Sequence, residues 1–194
     1  MIKELELENG LRVKINTDEL TAKVIKSPSV SGTIISVGDH AFDGAKFDSL
    51  IFAEDSEVES FEGPTFMFAS FKKLQIPPKL KKLSDKWCYC VRDLIDIEVS
   101  PKNELFSYVD NKYLVGKSDA LSDVFDILYY ARYDIEEAVI PPQIKIIHDN
   151  SFCDHPKLQS FISPKNSKLK RIEYFSFFHD FKISFARNTG IYSS

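Results

Sequence analysis

The chain has 194 residues, enough for one domain or one repeat array with a continuous core, and its 43% hydrophobic content argues against disorder. Its 25 basic and 29 acidic side chains are interspersed and sum to a formal charge of −4, so no basic stripe is present to neutralise phosphates and nucleic acid is not expected as a partner. Sixteen Phe and eight Tyr against two Met describe a core of stacked rings.

The N-terminus, MIKELELENG, is acidic where a signal peptide needs a basic start followed by an apolar stretch. No apolar run approaches the ~20 residues of a membrane-spanning helix. Cys88, Cys90 and Cys153 are too few for a disulfide scaffold. The expectation is a cytoplasmic protein with no membrane contact, with the cell surface as the alternative location.

Residues 1–30 read as an N-terminal β-hairpin cap. Leu11, Val13 and Ile15 alternate with Arg12 and Lys14, Asn16-Thr17-Asp18 supplies a polar turn, and Ala22 and Val24 resume the alternation. Such a cap would cover the apolar face that the first coil of a stack leaves open.

Residues 31–101 hold three similar units. The first places Ile34, Val37, Phe42, Phe47 and Leu50 in apolar slots, and the second uses Val58, Phe61, Phe66, Phe71 and Leu74 before Ile76-Pro77. The third uses Leu80, Leu83, Trp87, Leu94 and Ile97 before Val99-Ser100-Pro101. Neither the 3.6 period of a helix nor the alternation of a strand gives this series, whereas a chain that turns a corner every few residues does.

Residues 102–139 interrupt the pattern and read as a β-excursion. Tyr108-Val109, Asp110-Asn111 and residues 112–115 suggest strand, turn and strand, and residues 124–130 a further β run.

The pattern resumes over residues 140–194. The best-formed unit spans 140–163, with Ile144, Ile147, Phe152, Leu158 and Phe161 in the slots, and a last unit uses Leu169, Ile172 and Phe177. Phe175, Phe178, Phe181 and Phe185 remain to cover the final coil. The unit aromatics Phe42, Phe66, Trp87, Phe152 and Phe177 are spaced by 24, 21, 65 and 25 residues. The preceding apolar slot lies five residues before the aromatic in every unit except that of Trp87, where it lies four before. Prolines sit where one coil hands over to the next, at Pro77-Pro78, Pro101, Pro141-Pro142 and Pro164, as suits corners that need a fixed φ and no ladder donor.

These intervals, mostly within the range of about 20 to 29 residues for leucine-rich repeats, and the pattern I-P-P-x-I-x-x-I-x4-F-x5-L-x-x-F resemble the BspA-like leucine-rich-repeat family. The segment YLVGKSDALSDVFDILYYARYDIEEAVIPPQIKII is similar to one specific to its protist branch, with a Gly-Lys-Ser-Asp turn and an Ala-Arg-x-Asp-Ile run before an Ile-Pro repeat start. The resemblance covers residues 20–183. It implies a mainly β repeat solenoid with short parallel strands and irregular or short helical corners, here with an N-terminal β-hairpin cap and a β-hairpin insertion. It also implies protein-binding scaffold or surface roles.

Four constellations invite chemistry. Val115-Gly116-Lys117-Ser118 is a fragment of a phosphate loop, but position 111 is Asn where that loop needs its first Gly, and a β run rather than a helix follows; a turn is the simpler reading. Cys88-Tyr89-Cys90 with Cys153 and His155 lacks the two-residue spacer of structural zinc sites and reads as small buried side chains at corners. His40, His148, His155 and His179 flank the unit aromatics and read as exposed corner residues, with no nucleophile motif nearby. Glu54, Asp55, Glu57, Glu59, Asp134, Glu136 and Glu137 read as solvated turn residues. No catalytic residue, metal site or cofactor is expected.

The exposed sheet is the remaining candidate. Strand alternation with Phe47, Leu50 and Phe52 inward points Ser49 and Ile51 outward, and the same register exposes Lys73 and Gln75, Asp96 and Glu98, then Ser160 and Ile162. The expected function is a non-catalytic protein-interaction scaffold that binds an unidentified protein through this face. A surface adhesin is the alternative and an unrecognised hydrolase the second alternative.

Overall fold

The structure, a computed structural model, describes residues 2–6, 12–16, 21–25, 36–177 and 184–186. Among them strands are joined by turns and no helix occurs, so the corners are turns. The chain divides into two compact units, Met1–Leu105 and Phe106–Ser194.

In the first unit β1 (Ile2–Glu6), β2 (Arg12–Asn16) and β3 (Thr21–Ile25) form an antiparallel meander, so the hairpin expected for the cap has one further strand. Its expected turn residues Thr17 and Asp18 lie outside the described residues. The coils follow with β4 (Ser36–Val37), β5 (Ser49–Phe52), β6 (Ser60–Phe61), β7 (Lys73–Ile76), β8 (Lys82–Leu83) and β9 (Asp96–Val99). The longer strands continue the cap as the sheet β1-β2-β3-β5-β7-β9, and the two-residue strands make a second sheet, β4-β6-β8. All coil-to-coil pairings are parallel. Val37, Phe61 and Leu83, the slots before the unit aromatics, are the buried residues of the short strands.

The second unit opens with the hairpin β10 (Phe106–Val109) and β11 (Tyr113–Gly116). Its turn holds Asp110 and Asn111 at φ 54° and 51°, the left-handed pair that tight hairpins favour. Next come β12 (Ile127–Ala131), β13 (Glu137–Val139), β14 (Ile146–Ile147), β15 (Ser160–Ile162), β16 (Arg171–Ile172) and β17 (Ser184–Ala186). Here β12 is antiparallel to β11 but parallel to β14, while β13 is parallel to β15. Residues 127–140 therefore run as a coil of their own, and only the hairpin and the loop after it depart from the repeat. The Ala131 amide donates to the Ser151 carbonyl at 2.9 Å just as the Phe152 amide donates to Ser176 at 2.8 Å. Ala131 thus occupies the slot that an aromatic fills elsewhere, and Tyr113 and Tyr130 are buried in the same unit.

The slot rings stack from coil to coil. Phe42 and Phe66 lie 5.2 Å apart at 15°, Phe66 meets Trp87 edge-on at 6.2 Å, and in the second unit Phe152 and Phe177 lie 4.9 Å apart at 6°. Among the described residues two left-handed residues bracket each of four aromatic slots, His40 and Gly44 around Phe42, Gly63 and Phe68 around Phe66, Lys86 and Cys90 around Trp87, Asn150 and Asp154 around Phe152, whereas Ala131 has no such pair. A non-glycine residue there costs about 1 to 2 kcal/mol. Corner hydrogen bonds between coils offset that strain, including Gly44 N–H to Met67 C=O at 2.8 Å and Phe68 N–H to Tyr89 C=O at 3.0 Å.

One joint is made by a side chain. His155, 2% exposed, sets Nε2 2.8 Å from the Ala131 carbonyl and Nδ1 3.2 Å from that of Cys153, among the rings of Tyr130, Tyr133 and Phe152. Burial holds its pKa below the ordinary imidazole value against the pull of those carbonyls. His148 is buried as well, so two of the histidines expected at exposed corners are interior; both lie on the turn that carries Phe152, where coil packing covers them. His40 is exposed, and His179 lies outside the described residues, as do Phe178 and Phe181.

Two outcomes follow. Phe152→Ala should destabilise by about 3 to 5 kcal/mol, since a fully buried ring leaves a cavity under Phe161 and Phe177; urea unfolding measures this, and an unchanged midpoint would show that the register is wrong. Because the folded state lowers the His155 pKa, it binds fewer protons than the unfolded chain below the unfolded value of about 6.5. Stability should be full above that pH and fall as pH drops below it. In His155→Phe the unfolding midpoint should depend less on pH between roughly 7 and 5 than in the wild type.

Candidate interaction faces

Alternation along the coil strands sets which side chains leave the core. In the first unit Leu50, Leu74 and Ile97 are buried while Lys73, Gln75 and Ile51 are half-buried and Asp96 and Glu98 exposed. The register pairs Lys73 with Asp96 and Gln75 with Glu98. Ser49 differs from expectation, at 6% exposure: on an inner strand between β3 and β7 its one-carbon side chain does not reach past its neighbours.

Much of this face is engaged with itself. Lys73 Nζ lies 3.0 Å from Glu98 and 3.3 Å from Asp96, and the Glu98 hydrogen bond leads in raising the lysine pKa. Gln75 Oε1 accepts from the Phe52 amide at 3.0 Å. On the turns, Lys79 and Lys81 bind Glu57 and Glu59 of the preceding coil at 2.6 to 2.8 Å. These exposed pairs add little stability each, yet they neutralise carboxylates expected to be merely solvated.

The second unit presents a more apolar face. Glu137 is opposite Ser160 and Val139 is opposite Ile162; Val139 is 41% exposed and Ile162 half-buried. At the ends of these strands lies a depression of about 720 Å³, lined by apolar residues such as Val109, Val139 and Pro141 and by polar ones such as Asp110, Lys112 and Asn166. Burial, with Asp110 second, raises the Tyr113 pKa. Strand alternation places Ser160 and Ile162 on a face, and the parallel pairing of the strands adds Glu137 and Val139 to it. The signal was present: Ala138, Ile140, Pro141 and Pro142 repeat the spacing of Leu74, Ile76, Pro77 and Pro78.

The constellations that invited chemistry have structural roles. A Cβ on Gly116 would come within 2.6 Å of the Tyr129 ring, so glycine serves ring packing there. Ser118 donates N–H and O–H to buried Asp126, which also pairs with Lys145 at 2.9 Å. Burial would raise the Asp126 pKa, and the bonds from Lys145 and Ser118 outweigh it and hold it below the usual carboxylate value. A carboxylate thus occupies the position beside Lys117-Ser118, where a phosphate site would need a cation. Cys88, Cys90 and Cys153 are buried, and Asp134 is bound by Arg132 at 2.6 Å. Among the described residues no helix is long and apolar enough to cross a membrane.

Comparison with known proteins agrees with this architecture. The sequence matches the BspA type leucine rich repeat region in six copies, over residues 13–113 and 123–187. No curated protein sequence matches it. A leucine-rich repeat protein from Eubacterium ventriosum superposes with a TM-score of 0.60 at 14% identity, covering 92% of this chain. The pneumococcal vaccine antigen PcpA gives 0.53 at 14% identity, covering 95% of this chain and 70% of its own. This chain spans 63% of the length of the Eubacterium protein. On the extent of the repeat match, the chain belongs to the BspA-type leucine-rich-repeat family.

Proposed function

We propose that the chain is a non-catalytic protein-interaction module that binds through its exposed strand faces. The observation that carries this reading is the pairing of Val139 with Ile162 on adjacent strands, with the 720 Å³ depression at their ends. A partly exposed aliphatic pair beside a concave surface of mixed polarity gains when a partner covers it, by about 25 cal/mol for each Å² of apolar area removed from water. The self-paired charges of the first unit, Lys73 with Asp96 and Glu98, would contribute partner discrimination more than affinity. A cytoplasmic setting accompanies this reading. The second reading is a cell-surface repeat protein, supported by the fold shared with a vaccine antigen; labelling of the intact chain on unpermeabilised cells would select it.

Replacing Val139 and Ile162 together by Asp should leave the unfolding free energy from urea titration within about 1 kcal/mol while weakening retention of the native partner roughly 30-fold, the loss of one central anchor. Exchanging Lys73 and Glu98 for Ala should have the smaller effect on retention. Undiminished retention by the Val139/Ile162 variant would remove the face from the account.

A further inference from the structure

The loop after β11 has no part in the coil stack, and it lies where the repeat match is interrupted, between residues 113 and 123. Its tip reads Asp119-Ala120-Leu121-Ser122-Asp123. Leu121 is 95% exposed, and both aspartates are exposed beside it. An aliphatic side chain held almost wholly in water is common enough on a loose loop, but this loop is tied at each step. Ser118 is bound through N–H and O–H to buried Asp126, whose own amide donates to Gly116 at 2.9 Å. Asp119 accepts from the Leu121 amide at 2.9 Å and, through its carbonyl, from the Ser122 amide at 3.0 Å; Ser122 Oγ accepts from the Val124 amide at 3.0 Å.

The charge at the tip has one sign. Lys117, the nearest cation in sequence, is folded back with Nζ 5.2 Å from the centre of the Phe125 ring, and Lys145 is engaged by Asp126. The tip therefore offers one leucine between two carboxylates on a braced support. We propose that it is a second contact site, separate from the strand faces, which inserts Leu121 into the apolar cleft of a partner protein whose rim carries Lys or Arg opposite Asp119 and Asp123. Burial of the leucine supplies the attraction and the rim charges set orientation. Because the support is ordered in advance, little loop entropy opposes docking.

The test uses the full chain with a benzophenone amino acid in place of Leu121, irradiated in an extract of the source cells. The same replacement at Lys165, an exposed turn residue of the same unit, sets the background. The expected result is a discrete protein adduct at position 121 and none at 165. Its crosslinked peptide should map to an apolar cleft bordered by Lys or Arg. Its yield should drop roughly fivefold, as for two exposed ion pairs, when Asp119→Asn and Asp123→Asn are added. It should persist in the Val139→Asp/Ile162→Asp background, which separates this contact from the strand faces. An adduct only to a second copy of the chain, an adduct indifferent to both carboxylates, or no signal above the 165 background would overturn the proposal.

Discussion

The structure depends on one recurring constraint: at the corners of Phe42, Phe66, Ala131 and Phe152 the amide of the slot residue reaches a carbonyl of the next coil while its side chain is buried in the core. Phe66 does both, bonding the Trp87 carbonyl at 3.0 Å and stacking on Phe42 at 5.2 Å. Phe152 does both in the second unit, with Ser176 and Phe177. At the aromatic corners the bend puts left-handed residues on either side of the slot, and the bonds between coils pair backbone groups that burial would otherwise leave unsatisfied. Coil spacing, strand register and the outward set of side chains all follow from that corner.

The coil built on Ala131 shows how far the constraint outranks composition. It has no ring in its slot, yet its amide bonds the next coil as those of Phe42 and Phe152 do, and His155 reaches in from that coil to bond the Ala131 carbonyl at 2.8 Å. The imidazole is buried with the rings of Tyr130, Tyr133 and Phe152 around it. Its titration thereby becomes part of the folding equilibrium of this unit.

Much of this was legible before the structure. The five-residue step from Val37 to Phe42, Phe61 to Phe66 and Ile147 to Phe152 fixed the repeat, and the prolines after Ile76 and Ile140 marked strand ends. Alternation correctly separated Leu74 and Ile97 from Lys73, Gln75, Asp96 and Glu98. What escaped was set by neighbours rather than by local pattern. Ala131 carries no aromatic signal, so its coil was merged with the hairpin before it. Nothing local distinguishes a solvent-facing histidine from His148 or His155. Left-handed φ at Phe68 or Lys86 runs against the preferences of those residues, and only packing between coils requires it. Val139 was lost from the face for the same reason as its coil.

Amide hydrogen exchange on the intact chain tests the corner constraint most directly. The amides of Phe42, Phe66, Phe68, Arg92, Ala131 and Phe152 each bond to a carbonyl of an adjacent coil. They should exchange at least ~1,000-fold more slowly than unstructured amides, in keeping with opening free energies of several kcal/mol. Exchange of the Ala131 amide at an unprotected rate, with the other five protected, would show that residues 127–140 are not a coil; loss of protection at all six would contradict the stacking account itself.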